Sequence, residues 1–427
     1  MTYEKLNIDN KEVVLVYTDK FKTININISY EQEFANEKTA ARALLARLLR
    51  NSSKFYPSKR SISMKLQDLY DAKLGVSYNR VGRASVTNFS LTVVNDEYLH
   101  SEDRLLAGSI AFLNQVINHP NVQHDTFSQA KLEEERRLLL DEIKAVYNNK
   151  GRFALNEMIE AMFATELYGK KVYGTVDQIN QITVEDVYEE YMELVHNSKI
   201  YVYAVGDIEK TKFLNTFDQE LKLISVEKEV SLIDDETKEV TAVKEIIKQE
   251  NMNQSKLNIG FRTDVLVGGR LYYAMLVLGS LLGGHTNSRF FQVVREEHSL
   301  AYHIGTIYGL NKGVMVVTAG IDAGKYHQVM DLIMEEINKI NQGIIDLDLI
   351  ELTKISLNNE LLELFDSPSG MVGIIQKEID FLGYFNLEKM IRLVAEVTKE
   401  EIVEACQTLI LDTIYLLSNK EVEKWKK

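Results

Sequence analysis

A single cysteine, Cys406, in a chain of 427 residues excludes an internal disulfide and fits a reducing compartment. It falls in an amphipathic helical stretch with no histidine beside it, so it reads as core and not as a nucleophile. Positive charge is short as well. The net charge is −14 and no basic run offsets it, which argues against nucleic acid as a partner. The longest apolar run, over residues 272–282, falls short of the roughly 20 residues a membrane-spanning helix needs. The opening MTYEKLNIDNKEVV has no apolar core of a secretory signal, so the expectation is a cytoplasmic protein without a membrane partner. None of the eight histidines (His100, His119, His124, His196, His285, His298, His303, His327) forms a four-apart pair on a helix. His298 and His303 are five apart across a helix-to-strand turn, a poor geometry for one ion. No nucleophile, base and orienter stand together as an unrelated hydrolase would require.

What is present suits a soluble globular protein of about two domains, with 45% apolar and 26% charged residues. In residues 21–30, Ile24, Ile26, Ile28 and Tyr30 alternate with Asn25, Asn27 and Ser29, which predicts an antiparallel strand with one wet side. Asn36 is the expected cap of a helix ending near residue 51, with Ala41, Leu44, Leu45, Leu48 and Leu49 as its apolar stripe. Uneven, charged text over 218–243 reads as an interdomain linker tracking over the surface. From residue 244 the plan restarts. ITVEDVYEEYMELVHNSKIYVY, from Ile182, is answered by VTKEEIVEACQTLILDTIYLL, from Val397, each a capped helix followed by an Ile-Tyr strand. Thr183 answers Thr398, Glu185 answers Glu400 and Val187 answers Ile402. Two similar domains are therefore expected, at 1–217 and 244–427. Strands and helices keep no strict alternation, which favours an α+β class with an antiparallel sheet and helices packed on one face of each domain.

One stretch, GGHTNSRFFQVVREEHSLAYHIGTIYG from Gly283 to Gly309, concentrates chemistry. Ser288 is placed to cap a helix over 289–298, and a strand follows in which Leu300, Tyr302, Ile304 and Thr306 share a face. Because the chain reverses between them, Arg295 and Tyr302 could present a guanidinium and a phenol to one cavity. Two such donors on rigid elements can steady a carbonyl oxygen that is gaining charge. The plainer reading pairs Arg295 with Glu296 or Glu297 and leaves Tyr302 half-buried in the core.

The string SRFFQVVREEHSLAYHIGT resembles the signature of the second half of the pitrilysin/insulinase family, which includes the inverzincin zinc peptidases and the processing-peptidase subunits. The resemblance implies two domains related by a pseudo-twofold and closing as a clamshell. It also implies that Arg295 and Tyr302, seven positions apart, reach a substrate whose metal sits in another domain. Gly283 and Gly284 resemble the family's glycine-bearing loop at the cavity mouth, which implies substrate binding; a structural turn is the simpler reading. The family's H-x-x-E-H falls, in LARLLRNSS, on Ala43, Ala46 and Arg47. Neither alanine has a donor atom, and Arg47 is a fixed positive charge. The third ligand of the family matches Glu135 best, with Glu142 following. Glu135 alone cannot hold zinc, and it reads as a helix-surface charge near Arg136.

The function implied is that of a subunit without cofactor or metal of its own, inactive alone, in a heterodimeric zinc metallopeptidase. A homologous H-x-x-E-H partner would carry the zinc, and Arg295 and Tyr302 would bind the peptide and its oxyanion in trans. In isolation the chain could form a catalytically empty homodimer. The alternative is a stand-alone degenerate peptidase that binds peptides or scaffolds a complex. A looser likeness, of overall pattern only, is to bacterial gene pairs in which a His-less member sits beside a His-bearing one. Some of those are associated with 5-aminopentanol modification of elongation factor P.

Overall fold

β-Branched and aromatic runs form the strands of this chain, and Leu- and Ala-rich stretches with helical spacing form its helices. The computed structural model describes residues 2–99, 104–309 and 311–425. In chain order, β1 (Thr2–Ile8), β2 (Lys11–Tyr17) and β3 (Thr23–Glu33) precede α1 (Thr39–Asn51) and α2 (Lys59–Asp68). Next come β4 (Lys73–Val81), β5 (Ala84–Val94), α3 (Leu105–Asn118), β6 (Val122–Gln123) and β7 (Thr126–Phe127). The half closes with α4 (Gln129–Asn148), α5 (Lys150–Met162), α6 (Val176–Gln181), α7 (Val184–Asn197), β8 (Lys199–Gly206) and α8 (Lys210–Glu220). The second half runs through β9 (Lys244–Gln249), β10 (Ser255–Arg262), α9 (Tyr272–Gly283), β11 (Ala301–Gly309) and β12 (Val314–Ile321). It ends with α10 (Tyr326–Asn341), α11 (Leu347–Glu363), α12 (Pro368–Leu382), α13 (Leu387–Glu396), α14 (Lys399–Gln407) and β13 (Ile410–Ser418).

These elements gather into two compact units. The first holds Met1–Ile143, Lys171–Leu232 and Leu364–Lys377; the second holds Lys144–Lys170, Ile233–Glu363 and Glu378–Lys427. The division does not fall at one cut between 217 and 244, because each unit takes in a segment from the other half of the sequence. The first sheet has the order β1-β2-β8-β3-β5-β4, the second β11-β12-β10-β13-β9. Apart from the parallel pairs β2–β8 and β13–β9, neighbours in both are antiparallel. From β2 to β4 and from β9 to β11 the two orders are the same plan, so the α+β class with two similar domains holds. The answering helices α7 and α14 both open on capping boxes, Thr183 with Asp186 and Thr398 with Glu401.

The alternating face of β3 is not wet. Asn25, Asn27 and Ser29 are all buried, and a buried amide or hydroxyl must find partners. Asn25 Nδ2 donates to Thr92 Oγ1 (2.7 Å), and Ser29 bonds to Asn88 on the neighbouring strand. Gln376 lies in the segment that the second half of the sequence contributes to the first unit. Its Oε1 accepts from Asn27 Nδ2 (2.8 Å) and its Nε2 donates to Ser29 Oγ (2.9 Å). The polar stripe is therefore the seat of a covering helix. In the second unit α5 covers β10 and β13 in the same way, but with an apolar seal of Ala154, Met158, Met162 and Phe163 against Val314, Val316, Tyr415 and Leu417. Gly260 on β10 makes room for it, since a Cβ there would stand 2.6 Å from the sulfur of Met162.

Helix α1 begins at Thr39 and not just after Asn36, whose carbonyl accepts from the Thr39 hydroxyl (2.9 Å) and from Gln178 Nε2 (3.2 Å). Its apolar stripe is buried as expected, and Arg42 on the same helix forms a buried ion pair with Glu190 of α7 (2.9 Å). The stretch 218–243 is not wholly on the surface. Asp234 is buried, its backbone N–H bonds to the Asn311 carbonyl (2.8 Å), and Lys312 Nζ reaches its carboxylate at 3.2 Å. The same ammonium meets Glu166 at 2.9 Å, and Arg262 lies 2.7 Å from Glu166 and 2.6 Å from Asp412. Removing Lys312 takes the cation from buried Asp234 and one of two cations from Glu166. Lys312→Met is therefore expected to cost about 3–5 kcal/mol in denaturant unfolding; a loss below about 1 kcal/mol would show that this cluster does not anchor the segment.

Candidate functional site

In the second unit the chain leaves α9, turns through residues 284–288, and winds into a π-helical turn, Phe291–Glu297. The wider winding shows in the bond from His298 N–H to the Val293 carbonyl (3.2 Å), five residues back. Val293 and Val294 face the core, and Arg295 is left on the outer side with its guanidinium 4.4 Å from the Phe291 ring. Its Nε is 3.7 Å from Glu296, a loose contact that leaves the guanidinium's hydrogen-bonding edge open. Ser299 then takes a left-handed conformation (φ 52°) and the chain enters β11 at the edge of the sheet.

Here the structure departs from simple alternation. Ala301 pairs with Ile321 and His303 with Gly320, so Tyr302 is the extra residue of a β-bulge. Leu300 and Ile304 are buried as expected, but Tyr302 does not share their face: it is 74% exposed. A regular strand would have driven the phenol into the core. The bulge turns it outward, and with it the plainer reading of Tyr302 as half-buried core is overturned.

Ser288 does not act as the expected cap. Its carbonyl accepts from Gln292 N–H (3.0 Å), while its hydroxyl is buried without a partner. Both ring nitrogens of His285 and the Ser280 hydroxyl are likewise buried and have no hydrogen-bond partner among the described residues. Burial holds the His285 imidazole below its ordinary pKa. Gly283 and Gly284 have a packing reason to be glycine. A Cβ on Gly283 would sit 2.8 Å from the Thr306 nitrogen, and one on Gly284 would sit 2.7 Å from the Ser280 Cα. The Thr306 hydroxyl fastens this close approach by donating to the Gly279 carbonyl (2.7 Å).

In the first unit, Ala43 and Ala46 are buried in α1 and bring no donor atom. Arg47 Nε donates to Glu135 Oε2 (3.1 Å) and Nη1 to Glu142 Oε2 (2.8 Å). Glu135 is not the surface charge beside Arg136 that the sequence suggested. It is 2% exposed, and its Oε1 also accepts from Asn51 Nδ2 (2.8 Å) and meets Lys59 Nζ at 2.9 Å. Arg136 turns away, to Glu133 and to the carbonyls of Ile179 and Ile182. Asn51 and Lys59 were missed because their bonds to α4 cross more than 70 positions of sequence. The residues at these positions do not fit a metal ion, and among the described residues no group of three or more His, Cys, Asp and Glu could hold one. Of the eight histidines, His100 lies outside the described residues. Cys406 is buried, its thiol pushed up to about 12 by burial, which suits core and not nucleophile.

Residues 181–357 match the family profile described as the peptidase M16 inactive domain. This match and the relatives that follow fit a non-catalytic member of the pitrilysin family, similar to the M16 zinc proteases. It is 28% identical over 408 residues to the probable inactive metalloprotease YmfF of Bacillus subtilis strain 168, covering 95% of both chains. It is 22% identical over 268 residues to the uncharacterized zinc protease YmxG of the same organism, over 61% of this chain and 63% of the other. Among solved structures, a conserved protein from Enterococcus faecalis V583 is 25% identical with a TM-score of 0.91, covering 99% of this chain and 100% of that one. A peptidase M16 inactive domain from Pseudomonas fluorescens shares the fold at 14% identity and a TM-score of 0.81, over 99% and 100% of the two chains. Among the described residues no helix is long and apolar enough to cross a membrane.

Burial favours the uncharged imidazole of His285 in the folded chain. The unfolded chain takes up its proton near the ordinary value of 6.5, the folded chain only at lower pH, so the folded state loses stability as pH falls below that value. His285→Leu is expected to flatten this part of the decline in Tm between about pH 7 and pH 5. Parallel Tm–pH curves for parent and variant would show that the imidazole is solvated.

Proposed function

We propose that this chain, a degenerate peptidase-like protein, works as the metal-free subunit of a zinc metallopeptidase. In this reading it lends Arg295 and Tyr302 to the active site of a homologous H-x-x-E-H partner. The observation that carries the reading is the β-bulge at Ala301–His303, which exposes a phenol that regular alternation would bury. Bulges recur next to active sites because they re-aim one side chain while the sheet keeps it rigid. Arg295, on the preceding π-helical turn, supports it: its guanidinium packs on the Phe291 ring and meets Glu296 only at 3.7 Å.

The division of labour follows from the chemistry. The partner's zinc would supply an activated water as nucleophile. Tyr302 would donate its hydroxyl proton in a hydrogen bond to the peptide carbonyl oxygen as negative charge builds there. Arg295 would hold the peptide through its fixed charge and planar fork of donors. This chain's own first unit cannot supply the metal, since its corresponding positions carry Ala43, Ala46 and Arg47.

The test is to purify the chain with a homologous H-x-x-E-H subunit and follow cleavage of a peptide. Tyr302→Phe should lower kcat by about 10²–10³, the usual loss for one oxyanion donor, and leave association of the two chains unchanged. Equal turnover by variant and parent pairs would remove Tyr302 from the chemistry and favour the scaffold reading.

A further inference from the structure

The ion cluster between α1 and α4 does more than mark a lost metal site. We propose that the Arg47 guanidinium is a built-in replacement for a metal ion, cross-linking α1 to α4 and closing this chain to metal. The proposal is independent of whether Arg295 and Tyr302 serve a partner.

Glu135 and Glu142 are seven residues apart, two turns along one face of α4, and a single spherical ion would have to choose its distance to each. A guanidinium is a planar fork and can serve both. Nε takes Glu135 at 3.1 Å while Nη1 takes Glu142 at 2.8 Å. Asn51, four residues after Arg47 and one turn along α1, completes Glu135 from the same helix, and Lys59 at the start of α2 closes the other side. Both oxygens of the buried carboxylate are thus engaged, Oε1 by two donors and Oε2 by the guanidinium. The charges also balance closely. Arg47 and Lys59 stand against Glu134, Glu135 and Glu142, two cations and three carboxylates, one of which is largely exposed.

Ala43 lies one turn before Arg47, so the pair 43/47 has the spacing at which two histidines can hold one ion. Glu135 stands opposite Arg47, and what keeps metal out is the identity of two side chains and not the backbone.

Two measurements on the isolated, full-length chain test this without any peptidase assay. The first is a double-mutant cycle in Tm. Arg47→Met should lower Tm by roughly 4–10 °C by stranding a buried carboxylate, and Arg47→Met with Glu135→Gln should recover at least half of that loss. The second is metal content after incubation with zinc and desalting. The parent should carry none in stoichiometric amount, while Ala43→His with Arg47→His should carry about one zinc per chain and gain Tm that a chelator reverses. An Arg47→Met variant as stable as the parent would overturn the proposal. So would a loss that Glu135→Gln does not relieve, a zinc-loaded parent, or a natively folded double-histidine variant that takes up no zinc. If the double-histidine variant does not fold, the thermal cycle decides alone.

Discussion

The inner strands of the two large sheets are buried on both faces, and that constraint shapes how each unit is covered. A half-covered antiparallel sheet can leave its second face to water; here the inner strands β3, β8, β10 and β12 are buried along nearly their whole length. Each unit therefore needs a second cover, and it draws that cover from the other half of the sequence. The first unit receives 364–377 on a polar seat of amides and hydroxyls. The second receives α5 on methionine and aromatic side chains. The two solutions differ in kind. Amides fix one register through directional bonds, whereas the methionines of α5 fill space against Gly260.

Against this regular frame, the candidate site residues sit at local departures. The π-helical turn and the bulge that follows it interrupt a helix and a strand that would otherwise bury everything they carry. One extra residue in a strand is enough to move Tyr302 from core to solvent. At the other departure, in α1, Arg47 stands beside a stripe of buried alanine and leucine, and two acids on α4 answer it. The second unit keeps an outward-facing pair of donors. In the first, Arg47 is held in an ion pair with Glu135 and Glu142.

Much of the fold was legible because its signals are local. The stripe Ala41, Leu44, Leu45, Leu48 and Leu49 is buried as its spacing implies, and the Thr183 and Thr398 capping boxes form as written. The loss of donor atoms at Ala43 and Ala46 needs only the letters. Other features were misread because their cause lies far away in the sequence. Asn25, Asn27 and Ser29 have the pattern of a solvated face, and only Gln376, more than 300 positions on, makes them a buried one. Glu135 looks like one more charge in an acidic helix until the donors from α1 and α2 converge on it.

The sequence by itself determined which residues can do chemistry, since donor atoms and fixed charges belong to side chains and survive any arrangement. It also determined the repeated order of elements, because hydrophobic period and caps act within a few residues of each other. Only the tertiary structure decided which face of each strand is covered, by what, and where one residue slips out of register. Those outcomes depend on pairing between distant segments, and a shift of a single residue in such pairing reverses the direction of a side chain.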